Sequence, residues 1–440
     1  MRACTYAAPN ALTVGERDAP STGSGGARDD DQLLLVKVEA AGINPTDIKH
    51  LMQGMLPYSG IRATATAPVG FGCEGSGTVV KVPDNIRAAD SFQVGDSVYF
   101  LVDRMRGSHK AQGALSEYLV LNPKHVAKVP ASLTMERAAA TPLALLTAFQ
   151  ALRMEGYAKK RCGVGKKILI TGASGGVGHF AVQLAKNVYE FETVVGVCST
   201  PNVDFVKSLG ADQVIDYKKK DFVDVYPAQT FDVGMDLVGG DPICWPCGCC
   251  ASSNPMGRTI RKVRRVTKGA GARGGGGSLV GLVTGSSFDG PCGTVCGICC
   301  SCLPGMCSYK LSSSCCCCCC RGPTYSSYFL PIGKHIDRTH DDLNTLSVWI
   351  DEGLVVTEVT LAVDMADVQV GISRMEQPYL AFVPTTDGAA EAAAKEQSEE
   401  EGVSTPPLQH HRGKVVVRVG GGSSSSLSSS SSSSSSSAAV

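Results

Sequence analysis

Two stretches of this sequence concentrate residues able to do chemistry. In "TGASGGVGHF" (171–180), Gly172, Gly175 and Gly178 recur every three residues. A strand-like run, "KKILI", precedes them, an amphipathic helix pattern follows, and a second strand, "TVVGVCST", begins at Thr193. In that context the glycines let the backbone approach a pyrophosphate, whose charge meets free N–H groups at a helix N-terminus. Gly172, Ala173, Ser174, Gly175, Gly176, Val177 and Gly178 are the expected cradle of a dinucleotide. The other stretch is cysteine-rich: sixteen of the 20 cysteines fall between Cys244 and Cys320, ending in six consecutive ones, Cys315 to Cys320.

The end of the second strand selects the cofactor. An NAD site places a carboxylate there for the ribose 2′-hydroxyl. This chain has Val197, Cys198, Ser199 and Thr200, with no acid. Hydroxyls tolerate a 2′-phosphate where a carboxylate would repel it, so Ser199 and Thr200 favour NADPH, and Tyr217, after the third strand, adds a hydrogen bond. Pro201 stands where a basic residue would strengthen that preference.

The cysteines do not make a comparable case. A thiolate site needs side chains that converge, and six consecutive cysteines point in several directions. Cys244 with Cys247, and Cys296 with Cys299, have C-x-x-C spacing but lack a second half in defined surroundings. A serine run, Ser428 to Ser437, shows the same kind of single-residue expansion. The cysteine run reads as a passenger, with metal storage or redox sensing as the alternative.

The elements that must position the glycine turn alternate regularly. Residues 1 to about 133 are mostly β, with an edge strand and turn at the start, then "LLLVKVEAAGI", "GTVVKV" and "DSVYFLV". "GFGCEGSGTVV" (70–80) is glycine-rich but leads into a strand, so it is no phosphate loop. From Thr134, "TMERAAATPLALLTAFQALRM" reads as a helix. Strands then alternate with helices through "QVIDY", "FDVGMDLVGG", "SLVGLVTG" and "TYSSYFLPI", the pattern of a doubly wound parallel sheet. Residues 242–277, with seven basic side chains between Arg258 and Arg273, read as a solvated insertion, and so do residues 286–322. Residues 385–412 and 420–437 read as disordered.

Charge is balanced, 41 basic against 41 acidic residues, so no global field favours nucleic acid. The basic run leaves room for peripheral membrane contact. No apolar stretch is long enough to span a bilayer. The first residues lack a signal-peptide core, and a folded domain starting at once predicts a cytoplasmic protein, with a chloroplast or other organelle reached without a cleavable peptide as the alternative. No G-x-S-x-G elbow appears, which argues against a hydrolase of that kind.

The motifs "AAGINPTDIK", "GCEGSGTVV", "VGDSVYF", "GALSEYLV", "AAATPLALLTAFQAL", "ILITGASGGVGHFAVQLAK", "VKSLGADQVIDY" and "RGKVVVRV" together resemble the medium-chain dehydrogenase/reductase superfamily, in its zinc-free quinone oxidoreductase-like branch. The resemblance implies an α/β protein: a GroES-like β-barrel catalytic domain over 1–137, completed by 356–383 and 412–419, and a Rossmann domain over 138–355 carrying the insertions. Zinc members carry Cys where this chain has Asn44 and His where it has Cys73. Asn44 is no zinc ligand and Cys73 alone makes no site, so no metal is expected.

The resemblance further implies that Asn44 holds the nicotinamide ribose and that Thr147, Val238, Leu282, Thr284 and Lys414 contact the cofactor. Tyr58 is a proton donor at the substrate cleft or a surface tyrosine, and Asp47 pins the turn beside Asn44. The expected activity is NADPH-dependent, zinc-independent reduction of a quinone or an α,β-unsaturated carbonyl, in which the developing negative charge spreads onto oxygen and is met by hydrogen bonds. The alternative is a cofactor-binding scaffold or redox sensor with little turnover. Homodimerisation through the edge of the sixth strand is also implied.

Overall fold

A computed structural model describes residues 1–20, 33–56, 60–83, 92–104, 111–238, 257–268, 278–282, 310–311, 324–328, 338–380 and 412–419. All sixteen cysteines from Cys244 to Cys320 lie outside those residues, as do Tyr58, Thr284 and the stretches 385–411 and 420–440. The readings made for them have no structural counterpart here.

One sheet runs, in spatial order, Val126–Lys128, Ser97–Leu101, Glu74–Lys81, Leu34–Ile43, Lys414–Arg418 and Val359–Asp364, with Tyr118–Leu121 also on Leu34–Ile43. Its neighbours pair antiparallel except Val359–Asp364 with Lys414–Arg418, which are parallel. Strands from opposite parts of the chain, Leu34–Ile43 and Lys414–Arg418, thus pair within one barrel-like sheet. The alternation of apolar residues in strands such as "LLVKVEAAGI" gives it an inner face, where Leu34, Val36, Val38, Val79, Val98, Phe100 and Val415 are buried together. A smaller sheet flanks it in the order Leu12–Glu16, Arg2–Tyr6, Val69–Gly70. Arg2–Tyr6, expected as an edge strand, is therefore central to that sheet, because Thr5 and Tyr6 also find partners in Gly70 and Val69.

The second large sheet runs Gln213–Asp216, Thr193–Cys198, Lys167–Thr171, Val233–Asp236, Ser278–Leu282, Thr324–Tyr328 and Lys310–Leu311. Numbered by chain order, the six parallel strands stand 3-2-1-4-5-6, the doubly wound dinucleotide-binding arrangement. Lys310–Leu311 pairs antiparallel with Thr324–Tyr328, so the sixth-strand edge expected to meet a second copy is paired within the chain at Tyr325 and Ser326.

Two expectations change. The single helix expected from Thr134 is two helices, Met135–Ala139 and Pro142–Met154. Pro142 has no N–H to continue the first helix and disfavours helical continuation through the residue before it. It opens the second helix at the position where a missing N–H costs nothing. The basic run is not a loop either: Gly257–Val266 is a helix between the fourth and fifth strands. Its Val263 and Val266 are buried against Leu169, Val195, Val197, Phe222 and Phe231. Two valines three apart suffice to seat one face, while the dense charge around them hides that period in the sequence.

The halves are tied where the chain returns to the first sheet. Gln183, on the helix after the glycine turn, donates from Nε2 to Val356 O (2.9 Å) and accepts from Val356 N (2.8 Å) at Oε1. That pair fixes the segment entering Val359–Asp364, and through it the position of Lys414.

Candidate active site

Register builds the first cluster. Glu74 opens one strand, Ile43 closes its antiparallel neighbour, and Lys414 opens the next, with Glu74 opposite Gly42 and Val415 opposite Ile43. Glu74, Asn44 and Lys414 therefore meet at one end of the sheet. Lys414 Nζ donates to Glu74 Oε1 (2.7 Å) and to Asn44 Oδ1. Asn44 Nδ2 donates to Glu74 Oε1 (2.7 Å), and Leu143 N donates to Glu74 Oε2 (2.7 Å). All three side chains are buried. The carboxylate also faces the N-terminus of helix Pro142–Met154, whose dipole favours negative charge. Room for it comes from Gly42, where a Cβ would fall 2.5 Å from Glu74 Oε1.

The amide of Asn44 is thus engaged at both ends. Lys414 has three N–H donors and spends two on Asn44 and Glu74. Sequence reasoning had no signal for Glu74, whose partners lie 30 and 340 positions away.

The glycine turn forms the adjoining wall. Gly172 takes a left-handed φ of +65°, open to glycine at little cost. A Cβ on Gly178 would stand 2.1 Å from Gly172 O, so the helix start packs on the turn with no space for a side chain. At Gly175 and Gly176 a Cβ would meet only Gly172 O (3.3 Å) or Lys414 Cδ and Gly413 O (3.3 and 3.7 Å). Gly413 N donates to Ser174 O (3.0 Å). The strand carrying Lys414 therefore lies directly on the turn. Val238 packs over Gly172, its Cγ2 3.4 Å from where a Cβ would be.

At the second-strand end, Asn202 Nδ2 donates to Ser174 Oγ (3.2 Å) and Ser199 Oγ (3.3 Å). The strand itself ends without an acid, but pairing of Cys198 with Asp216 brings one from the neighbouring strand. Asp216 accepts from Lys218 N (3.0 Å) and lies 3.7 Å from Lys219 Nζ. Burial pushes its carboxyl up, and the Thr200 hydroxyl, Lys218 N–H and Lys219 more than reverse this, leaving it below the usual range. Thr200 is thereby engaged, and Tyr217 stands half exposed beside it. Sequence reading missed Arg412: its guanidinium lies 4.0 Å over the Phe205 ring, and Nη2 donates to Glu358 Oε1 (2.9 Å). Its Nε is buried without a partner.

Thr147 is buried with its hydroxyl turned back to Leu143 O (2.6 Å). Leu282 ends the fifth strand. Tyr58 and Thr284 fall outside the described residues, so neither is placed at the site.

A second buried cluster adjoins Asn44. Asp47 Oδ2 accepts from Asn44 N (2.9 Å), the return bond of a helix N-terminus. Asp47, His50 and Cys73 lie with their donor atoms within 4.8 Å of one another. Cys73, treated from sequence as isolated, has these two neighbours because helix Pro45–Gln53 presents positions 47 and 50 on one face.

Comparison with known proteins finds two family models on the chain: the alcohol dehydrogenase GroES-like domain over residues 30–131 and zinc-binding dehydrogenase over residues 176–246. A 2-methylene-furan-3-one reductase of Solanum lycopersicum is 37% identical over 211 residues, 48% of this chain and 50% of that protein. A chloroplastic quinone-oxidoreductase homolog of Spinacia oleracea is 42% identical over 191 residues, 43% of this chain and 53% of the other. The chain spans about half the length of these curated relatives. The quinone oxidoreductase structure from Coxiella burnetii superposes with a TM-score of 0.58 at 22% identity, covering 95% of this chain and 99% of that one. It shares the fold.

Proposed function

We propose that the chain, which matches the alcohol dehydrogenase GroES-like and zinc-binding dehydrogenase family models and quinone oxidoreductase-like relatives, is a medium-chain dehydrogenase/reductase of the quinone oxidoreductase-like branch that reduces quinones or α,β-unsaturated carbonyl compounds with NADPH. The observation that carries this reading is the contact of Lys414 and Gly413 with Gly176 and Ser174, which sets the Asn44–Glu74–Lys414 cluster against the glycine turn. The residues present fit the cofactor: a glycine-rich turn with little side-chain bulk, and an orphaned buried Nε on Arg412, whose guanidinium lies over Phe205 in the helix after the second strand. Bound NADPH would supply hydride from its nicotinamide ring.

The protein supplies position and charge. The turn from Gly172 to Gly178 takes the pyrophosphate, with Val238 covering it. Lys414 uses its remaining N–H on the nicotinamide half of the cofactor or on the oxygen where negative charge develops. Asn44 and Glu74 hold that ammonium in place, so Asn44 is a positioning residue here and Lys414 the contact. Ser199, with Arg412 above Phe205, receives the 2′-phosphate. Asp216 opposes it, and the Lys218 amide and Lys219 offset that charge.

Replacing Arg412 by alanine removes one charge-assisted hydrogen bond from the 2′-phosphate. The Kd for NADPH rises at least about tenfold, worth about 1.4 kcal/mol, while that for NADH stays within about twofold. Fluorescence titration with both nucleotides checks this; an equal loss for both would take Arg412 out of the phosphate site.

The relatives include a protein of the chloroplast by its name. A cytoplasmic or organellar address, homodimerisation and peripheral membrane contact belong to the same proposal. No helix among the described residues is long and apolar enough to cross a membrane. The function is tested by the turnover measurement that closes the Discussion.

A further inference from the structure

Helix Pro45–Gln53 turns Asp47 and His50 toward Cys73, which lies in the link between strands Val69–Gly70 and Glu74–Lys81. All three are more than nine-tenths buried, with relative exposures of 1%, 7% and 8%. Two of their polar atoms, Asp47 Oδ1 and His50 Nδ1, are buried without a hydrogen-bond partner. A buried polar atom left unsatisfied is costly, so two in one cluster of carboxylate, imidazole and thiol point to a ligand that takes their lone pairs. We propose that Asp47, His50 and Cys73 bind one divalent, thiophilic cation of the zinc class, with a fourth position left for water.

The donor set suits such an ion. Zinc takes carboxylate oxygen, imidazole nitrogen and thiolate at about 2.0–2.3 Å. Tetrahedral binding would draw donor atoms that lie within 4.8 Å of one another inward by about 1 Å, estimated from those bond lengths. Binding exchanges the Cys73 thiol proton for the metal, so one proton is released to solvent and the sulfur becomes the thiolate ligand. His50 is neutral and ready to ligate: burial, with Arg104 and Lys49 nearby, pushes it down to about 3. Burial holds the Asp47 carboxyl above its ordinary range, against the Cys73 thiol and Arg104.

Arg104 is the opposing charge. It donates to Gly70 O (2.9 Å) and Gly72 O (2.6 Å) on the approach to Cys73. Tyr6 and Glu74 also face the cluster. With Asp47 and the Cys73 thiolate carrying two negative charges, a divalent ion is neutralised and Arg104 leaves one excess positive charge. Asn44 is no part of the set, being committed to Glu74 and Lys414. The site adjoins Asn44 and shares with the zinc members the ligand position at Cys73, but it takes its other donors from Asp47 and His50 instead of residue 44.

Co2+ reports the site directly. The full chain is dialysed against Co2+ with the sixteen cysteines from Cys244 to Cys320 changed to serine, so that their thiols do not compete. The proposal expects about one Co2+ per chain, tetrahedral visible bands and a thiolate-to-cobalt charge-transfer band in the near ultraviolet. Cys73→Ser should lose that band. His50→Ala, which keeps the thiol, should weaken uptake by more than about tenfold, since loss of even an outer partner of a metal ligand costs that much. Where Cys73→Ser fails to fold by circular dichroism, His50→Ala carries the test alone. No Co2+ uptake by the parent, or undiminished uptake by His50→Ala, would overturn the site and leave Arg104 as the counter-ion of the cluster.

Discussion

Changing Lys414 to methionine is expected to lower stability by about 3 kcal/mol, at the lower end of what breaking a buried ion pair costs. The change leaves Glu74 charged and fully buried with its counter-ion gone. The cost stays at the lower end because Asn44 Nδ2 and Leu143 N still donate to the two carboxylate oxygens. Methionine keeps most of the lysine stem's packing, so the loss reports charge. The double variant Glu74→Gln/Lys414→Met removes the orphaned charge and should recover most of the stability without recovering activity. Denaturant melts of the parent and the two variants, with NADPH binding measured on each, check this. A single variant as stable as the parent would mean that Lys414 and Glu74 are not the pair described.

Gly178→Ala should abolish nucleotide binding at concentrations where the parent saturates. Its methyl would stand 2.1 Å from Gly172 O and 2.8 Å from Ala173 Cα. Both are backbone, and a backbone atom cannot rotate away as a side chain would. The helix start must lift off the turn, and the free N–H groups then miss the pyrophosphate. Overpacking costs about 1–3 kcal/mol in stability, and the loss of aligned phosphate contacts adds a drop in affinity of at least about a hundredfold, or about 2.8 kcal/mol. Titration of NADPH by fluorescence, with circular dichroism to show that the sheets persist, reads the effect. Gly175→Ala, whose Cβ would meet one atom at 3.3 Å, should cost less than the Gly178 change. Equal losses at both positions would show that the turn is not packed as described.

How much of this was legible in the sequence follows from the range of the interactions. The glycine turn and the parallel strands read directly, because glycine spacing and apolar periodicity are local properties. The Pro142 break was equally local but was overrun by the apolar pattern on both sides of it. The helix Gly257–Val266 was missed because five basic residues within it obscured Val263 and Val266. Register decided the rest. Glu74 acquires its role only when two neighbouring strands bring Asn44 and Lys414 to it. Asp216 reaches the second-strand end only through the pairing with Cys198, and Arg412 meets Phe205 across 207 positions. Asp47 and His50 were each visible, but nothing in the linear sequence set them beside Cys73.

The central claim is tested most directly by following NADPH and NADH oxidation by the full chain, with one quinone and one short enone as acceptors and a metal chelator present. The account predicts turnover that prefers NADPH, survives chelation and is lost in Lys414→Met. Saturable NADPH binding with no turnover on either acceptor would contradict the reductase and leave a dinucleotide-binding scaffold of the same fold.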